Sequence, residues 1–247
     1  MMKQLNEYIK EGLFDNVDKL EGNDGLDNAS KGFEQLDKEK IYDYISKHYV
    51  LATKGLQKTL SWNKSKLEID LKTNPPTVDC AGSLVFQSNA PTLNNDGMFQ
   101  WGVVKGGFRC AYRKTLESLE GAPKEVHGDF YCNDCSSLKS LKGSPKEIVG
   151  NFDCAHCDSL ESLEGATEKV DGGFYCYSCK SLKSLKGAPE KVGGDFSCAY
   201  CPQLTSLKDA PKKVLGDFNC CCCGTQFTLE DVKKVSNVKN SIFYRQW

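Results

Sequence analysis

The sequence carries no surplus of either charge: 32 Lys and Arg stand against 33 Asp and Glu, a net charge of -1. Binding nucleic acid through its phosphates needs a basic face, so a general nucleic-acid binder is not expected. No apolar run approaches the roughly 18 residues that cross a bilayer, and no membrane segment is expected. The opening stretch MMKQLNEYIKEGLF has no apolar h-region, so no secretory signal is expected either. Histidine is scarce, with only His48, His127 and His156. No glycine-rich phosphate loop, nucleophile elbow or paired-carboxylate motif accompanies them. The chain is therefore read as a non-enzyme with no catalytic residues, no metal and no cofactor.

What the sequence does have is cysteine, 14 residues of it, and a strict repeat. Phe stands at 108, 130, 152, 174, 196 and 218, every 22 residues, with Cys two positions later at 110, 132, 154, 176, 198 and 220. A second Cys follows at 135, 157, 179, 201 and 223, with Arg113 in that place in the first copy. Leu recurs at 116, 138, 160, 182 and 204 and again at 119, 141, 163, 185 and 207. Val or Ile closes each unit at 126, 148, 170, 192 and 214. A period held without insertion is the mark of a repeat architecture. Phe and the first Cys, two apart, share one face of a strand, and a Gly-Ala-Pro step turns the chain. One such coil cannot bury enough to stand alone, so the units must stack.

The other segments are placed around that array. Residues 1–14 read as a short amphipathic, targeting-like helix, with Leu5, Tyr8, Ile9 and Leu13 at helical spacing. Residues 15–36 are rich in Gly, Asn and Asp and read as a flexible linker. Within 37–54, Asp37 offers an N-cap and Ile41, Tyr44, Ile45 and Tyr49 an apolar stripe, which suits an N-terminal cap helix. Residues 55–107 read as degenerate first rungs, with Phe86 one period before Phe108 and Val104 one period before Val126. Residues 108–223 are the regular repeats. In 224–247, Thr228-Leu-Glu-Asp231 is a capping box and NSIFYRQW a last strand, together a C-terminal cap that blunts an open strand edge.

The unit F-x-C-x-x-C-x-x-L-x-S-L-x-G-A-P-x-x-V resembles a leucine-rich repeat, with the second Cys where that family places Asn or Cys. It departs by Cys for Leu in the strand and by three residues rather than two before the next Leu. The resemblance implies a β-solenoid of leucine-rich-repeat type, with a parallel strand ladder, an irregular convex side and helical N- and C-terminal caps. Similar Cys-rich arrays occur in uncharacterised phage and bacterial proteins. The start, MKQLNEYIKEG, resembles the capsid-targeting peptides of T-even-type phage internal head proteins. That resemblance implies processing after Glu11, before Gly12, and a place in a phage virion beside capsid components; the other setting considered is the bacterial cytoplasm.

Stacking makes residues one period apart into neighbours. Glu117 and Glu120 precede Lys139 and Lys142 by one period, and Glu161 and Glu164 precede Lys183 and Lys186. Interleaved Glu and Lys rows are expected, fixing register more than stability. The five C-x-x-C pairs have metal and thiol-exchange spacings, yet their place in the repeat points them inward as small hydrophobes. Cys221 and Cys222 fall between the inward positions and are expected to be exposed and reactive.

Strand positions between the inward residues face outward: Arg109, Tyr131, Asp153, Tyr175, Ser197 and Asn219. The adjoining loop carries a second group: Tyr112, Asp134, His156, Tyr177 and Tyr200. Tyr and Arg bury large area at low entropy cost and are frequent binding anchors. The sequence is thus read as a protein-binding repeat scaffold whose partner surface holds Arg109, Tyr112, Tyr131, Asp153, His156, Tyr175, Tyr177 and Tyr200. A purely structural or decoration protein is the first alternative. A metal or thiol-redox protein working through the C-x-x-C pairs is the second.

Overall fold

The structure, a computed structural model, describes residues 38–52, 59–60, 64–90 and 92–244. The targeting-like helix 1–14 with Glu11 and Gly12, the linker 15–36 and Asp37 lie outside the described residues. The chain divides into two compact units, Met1–Asp43 and Tyr44–Trp247. Residues 38–48 are helical, and their last turn belongs to the second unit, which holds the repeats. In that unit Ile45 is fully buried and the Tyr44 ring meets Phe99 edge-on at 6.0 Å. Among the described residues no helix is long and apolar enough to cross a membrane.

The second unit is a β-solenoid with two strand ladders. Among the described residues one sheet has ten strands and the other nine, and from Phe108 onward every pairing is parallel. Each regular coil contributes a two-residue strand to each sheet. Phe130–Tyr131 lies in the first sheet and Glu147–Ile148 in the second. Alternation sets the inside and outside, as period-2 geometry requires. Phe130 and Ile148 are fully buried, while Tyr131 and Glu147 point out. The expected single ladder with an irregular convex side is therefore a double ladder. The strands of the second, Glu-Val, Glu-Ile or Lys-Val, are as short as those of the first, but their one inward Val or Ile has no repeated apolar residue two positions away to reveal the alternation, as Cys does for Phe.

Between the ladders the core is built in columns. The Phe rings at 108, 130, 152 and 174 stack face to face, with centroids 5.5, 5.4 and 4.9 Å apart. Both Leu columns, both Cys columns and the Val/Ile column are buried along the regular coils, Cys223 of the last coil alone being half-buried. Lys139 and Lys142 reach Glu117 and Glu120 at 2.9 and 3.0 Å, and Lys183 reaches Glu161 at 3.1 Å. The interleaved rows thus form as expected. Alternation holds on this arc only: on the second sheet Lys169, Lys191 and Lys213 stand in register as like charges.

The first rungs depart from the expected register. Leu84, not Phe86, pairs with Phe108, whereas Val104 does pair with Val126. On the other sheet the pairing with Gln100–Val104 slips by one residue between Val78 and Cys80. Tyr49–Ala52 and Leu67–Asp70 pair antiparallel to their neighbours, so the array begins with a reversal of strand direction.

At the other end, the capping box forms as expected. Thr228 Oγ1 accepts from Asp231 N at 3.3 Å, and Thr228 N donates back to Asp231 Oδ2 at 2.9 Å. The helix Leu229–Val235 stands where an arc runs in earlier coils. Asn237–Val238 and Ile242–Phe243 then add a further parallel rung and are the terminal strands of their sheets. This segment extends the solenoid by a modified coil, and the strand edge it was expected to blunt is carried by Ile242–Phe243 itself.

Candidate functional site

The outward side of the first sheet is one continuous column. Val85, Arg109, Tyr131, Asp153, Tyr175, Ser197, Asn219 and Phe243 follow each other in direct register. Beside it runs a turn column in which each coil holds one residue in the left-handed region: Tyr112, Asp134, His156, Ser178, Tyr200 and Cys222, at φ between 55° and 63°. That conformation turns the side chain outward at the sheet's edge. Tyr112 and Tyr200 are 61% and 56% exposed, the most exposed aromatics among the described residues. Tyr177 was expected in this row, but Ser178 occupies it. Tyr177 sits one place earlier, in line with the buried Ala111, Ala155 and Ala199, because the turn takes its left-handed residue at the second position after the first Cys.

These residues form two clusters. In the first, the Arg109 guanidinium carbon lies 5.4 Å from the centre of the Tyr112 ring and 5.3 Å from that of Tyr131. Tyr131 donates to Asp129 Oδ2 at 2.9 Å. Burial, that hydrogen bond and the charges of Asp129 and Asp153 push its phenol up to about 12. Partial burial likewise raises the Asp153 carboxyl; the Ala155 amide, donating at 3.0 Å, and the His156 and Arg109 side chains oppose the rise. His156 and Tyr177 meet edge to face at 5.2 Å.

In the second cluster, Tyr175, Tyr177 and Tyr200 border a cavity of about 320 Å³ with Asp195, Asp217, Ser197, Asn219 and Phe243. A longer groove of about 870 Å³ follows the turn column from Tyr112 to Cys222, and Tyr200 borders both. Every residue expected in the partner surface thus lies in one cluster or the other.

The sequence reading missed the acidic edge of this face. The residue before each Phe is Gly107, Asp129, Asn151, Gly173, Asp195 or Asp217. Asp129 Oδ1 accepts the Asn151 amide and Asn151 Oδ1 the Gly173 amide, at 2.8 and 2.7 Å. Asp195 and Asp217 accept the amides of Asp217 and Ser241, at 2.8 and 2.9 Å. Each short side chain reaches one coil forward. The recurrence of Asp or Asn before Phe was the visible signal, since these residues favour bonds to nearby backbone.

The cysteines form a third ladder. Cys135, Cys157, Cys179, Cys201 and Cys223 each direct the thiol at the carbonyl of the first Cys one coil back, at 3.2 to 3.3 Å. Burial pushes Cys135 up to about 11 and Cys201 up to about 12. Held protonated and donating to backbone, Cys135 and Cys201 act as small hydrogen-bonding core residues, whereas the hydrogen bond with Cys198 pulls the half-buried Cys223 thiol down. Cys221, expected to be exposed, is only 7% exposed because it takes the buried place of Ala199 in the coil before. Cys222 is half-buried in the turn column. Among the described residues no three His, Cys, Asp or Glu side chains converge as metal ligands would. No protein family, no curated protein and no solved structure was found to match this chain.

Proposed function

We propose that this chain is a non-enzymatic scaffold that binds a protein through the outward side of its first sheet and the adjoining turn column. The observation that carries the reading is the column itself. Its aromatic and charged letters, Arg109, Tyr131, Asp153 and Tyr175, change from coil to coil while the core letters do not. Tyrosines half-buried on a rigid ladder are pre-organised anchors, and little entropy is lost when they are covered. Replacing both Tyr131 and Tyr175 by Ala is expected to weaken partner capture by roughly a hundredfold or more, at about 2 kcal/mol per anchor. The unfolding midpoint should stay close to that of the parent chain, because neither ring belongs to the core. Undiminished capture by the double variant would reject the surface.

The finer architectural reading is a solenoid of leucine-rich-repeat type. Its support is the Leu-x-x-Leu arc and the second Cys, which bonds to the preceding coil from the position where that family places Asn or Cys. We further read the helix within 37–54 and the segment 224–247 as end caps. Delivery in a phage virion rests on the resemblance of MKQLNEYIKEG to a capsid-targeting peptide. Sequencing the N-terminus of protein taken from virions tests it: a chain starting at Gly12 is expected, and an intact Met1 there would remove the reading.

A further inference from the structure

Within its own chain, this face already receives one guanidinium. Arg109 lies against the rings of Tyr112 and Tyr131, at 5.4 and 5.3 Å, with the Asp153 carboxyl beside Tyr131 in register. Farther along the same column the same components recur without the cation. Three tyrosines, Tyr175, Tyr177 and Tyr200, and two carboxylates, Asp195 and Asp217, border the cavity of about 320 Å³, and among the described residues no basic side chain lines it.

The charge there is uncompensated, unlike that of the arc. Glu117, Glu120, Asp158, Glu161, Glu164 and Glu190 each pair with a Lys one coil on. Among the described residues, Asp195 and Asp217 form no ion pair. Each uses Oδ1 to accept a backbone amide from the next coil, which fixes the carboxylate in place. Both residues line the cavity.

We propose that this cavity is a recognition site for an arginine side chain presented by an extended segment of a protein partner. The inference rests on the protein-binding reading and names what the partner must offer. A planar guanidinium stacks on phenol faces, as Arg109 does on Tyr112 and Tyr131, and it also pairs with carboxylates; a lysine ammonium fits that combination less well. The cavity volume is at the lower end for ligand sites, about 300–1,000 Å³, and suits one side-chain head rather than a folded element.

The probe is a blocked peptide of alternating arginine and glycine, with a counterpart in which citrulline replaces each arginine. Citrulline keeps the shape and loses the charge. Titrated into the full chain and followed by calorimetry, the arginine peptide is expected to bind at least tenfold more tightly, and more weakly as salt rises. Asp195→Asn with Asp217→Asn should abolish that preference while leaving the fold intact, because Asn151 already serves as the acceptor at the equivalent place. Tyr200→Ala, an exposed ring outside the core, should weaken the arginine peptide several-fold and the citrulline peptide little.

Equal binding of the two peptides, or a preference that survives the double Asn variant, would overturn the proposal. A chain that sediments as a salt-sensitive dimer, and that the double Asn variant makes monomeric, would assign the cavity to a second copy and overturn it as well. If neither peptide binds while capture still depends on Tyr131 and Tyr175, the arginine site falls and the protein-binding reading stands.

Discussion

Raised from pH 7 to about pH 10 under reducing conditions, the protein is expected to unfold in one cooperative step. The cause is the cysteine core. The eleven cysteines from Cys80 to Cys220 are at most 1% exposed. Burial pushes their thiols up, Cys80 and Cys135 to about 11 and Cys201 and Cys220 to about 12, with Cys110, Cys132, Cys154 and Cys176 well above the ordinary value. In the unfolded chain the same thiols ionise near about 8.5. Above that pH the folded form binds more protons than the unfolded one, so stability falls as pH rises. The contribution is fully present below about pH 8.5 and is lost toward the folded values of 11 and above.

Each thiol that stays protonated when folded gives up about 0.8 kcal/mol by pH 9 and about 2 kcal/mol by pH 10. Summed over the buried set, the loss at pH 9 is already on the order of 10 kcal/mol, comparable to the whole stability of a typical domain, ~5–15 kcal/mol. Circular dichroism and thiolate absorbance, recorded together, should change in the same step. A thiolate signal that climbs gradually from pH 8.5 with the dichroism intact would show the thiols to be accessible and the expectation wrong.

The second large effect is expected at Gly143. It has φ +90°, and a Cβ there would meet Glu120 N at 2.5 Å and Glu120 Cα at 2.6 Å, the backbone of the coil before. Gly143→Ala therefore combines a left-handed strain with a clash that only separation of two coils can relieve. A loss of roughly 3–5 kcal/mol is expected. Gly97 is the control. Its φ is +72°, but nothing lies within 4 Å of a Cβ built there, so Gly97→Ala should cost only the conformational strain of about 1–2 kcal/mol. Denaturant midpoints of the two variants measure the difference. Equal losses would mean that the coils are free to move apart at the Gly143-Ser144-Pro145 turn.

The regular coils were legible because every inward position repeats the same letter. Phe152, Cys154, Cys157, Leu160, Leu163 and Val170 could be assigned to the core from spacing alone, and so could the Glu–Lys rows. Three features were not legible, each for a physical reason. The second ladder offers one inward letter per coil, Val or Ile, with no apolar residue two positions away to show strand alternation. The two-residue shift that pairs Leu84 with Phe108 is marked by no repeated letter, because these first rungs keep none of the unit's Cys and Leu pattern. The place of Ser178 rather than Tyr177 in the turn column is set by a left-handed backbone, which Tyr112, Asp134, His156 and Tyr200 adopt without a common side-chain type. Of the site, the tyrosines were found by asking what the repeat leaves variable. The acidic edge was not, because Asp129, Asp195 and Asp217 look like solvated surface until their bonds to the next coil are seen.

The charge rows set a length quantum for the molecule. The backbone repeats with every coil, but the arc returns to the same charge only with every second one, from Glu117 to Glu161 and from Lys139 to Lys183. A descendant that lost the single coil between Glu117 and Glu161 would place acid beside acid and leave Lys183 as the only cation for both. One that lost the two coils carrying Lys139 and Glu161 would set Glu117 against Lys183 and Glu120 against Lys186. Duplication and deletion of this array are therefore easier in even steps, and kindred arrays are expected to differ by coil pairs wherever the Glu–Lys arc is kept.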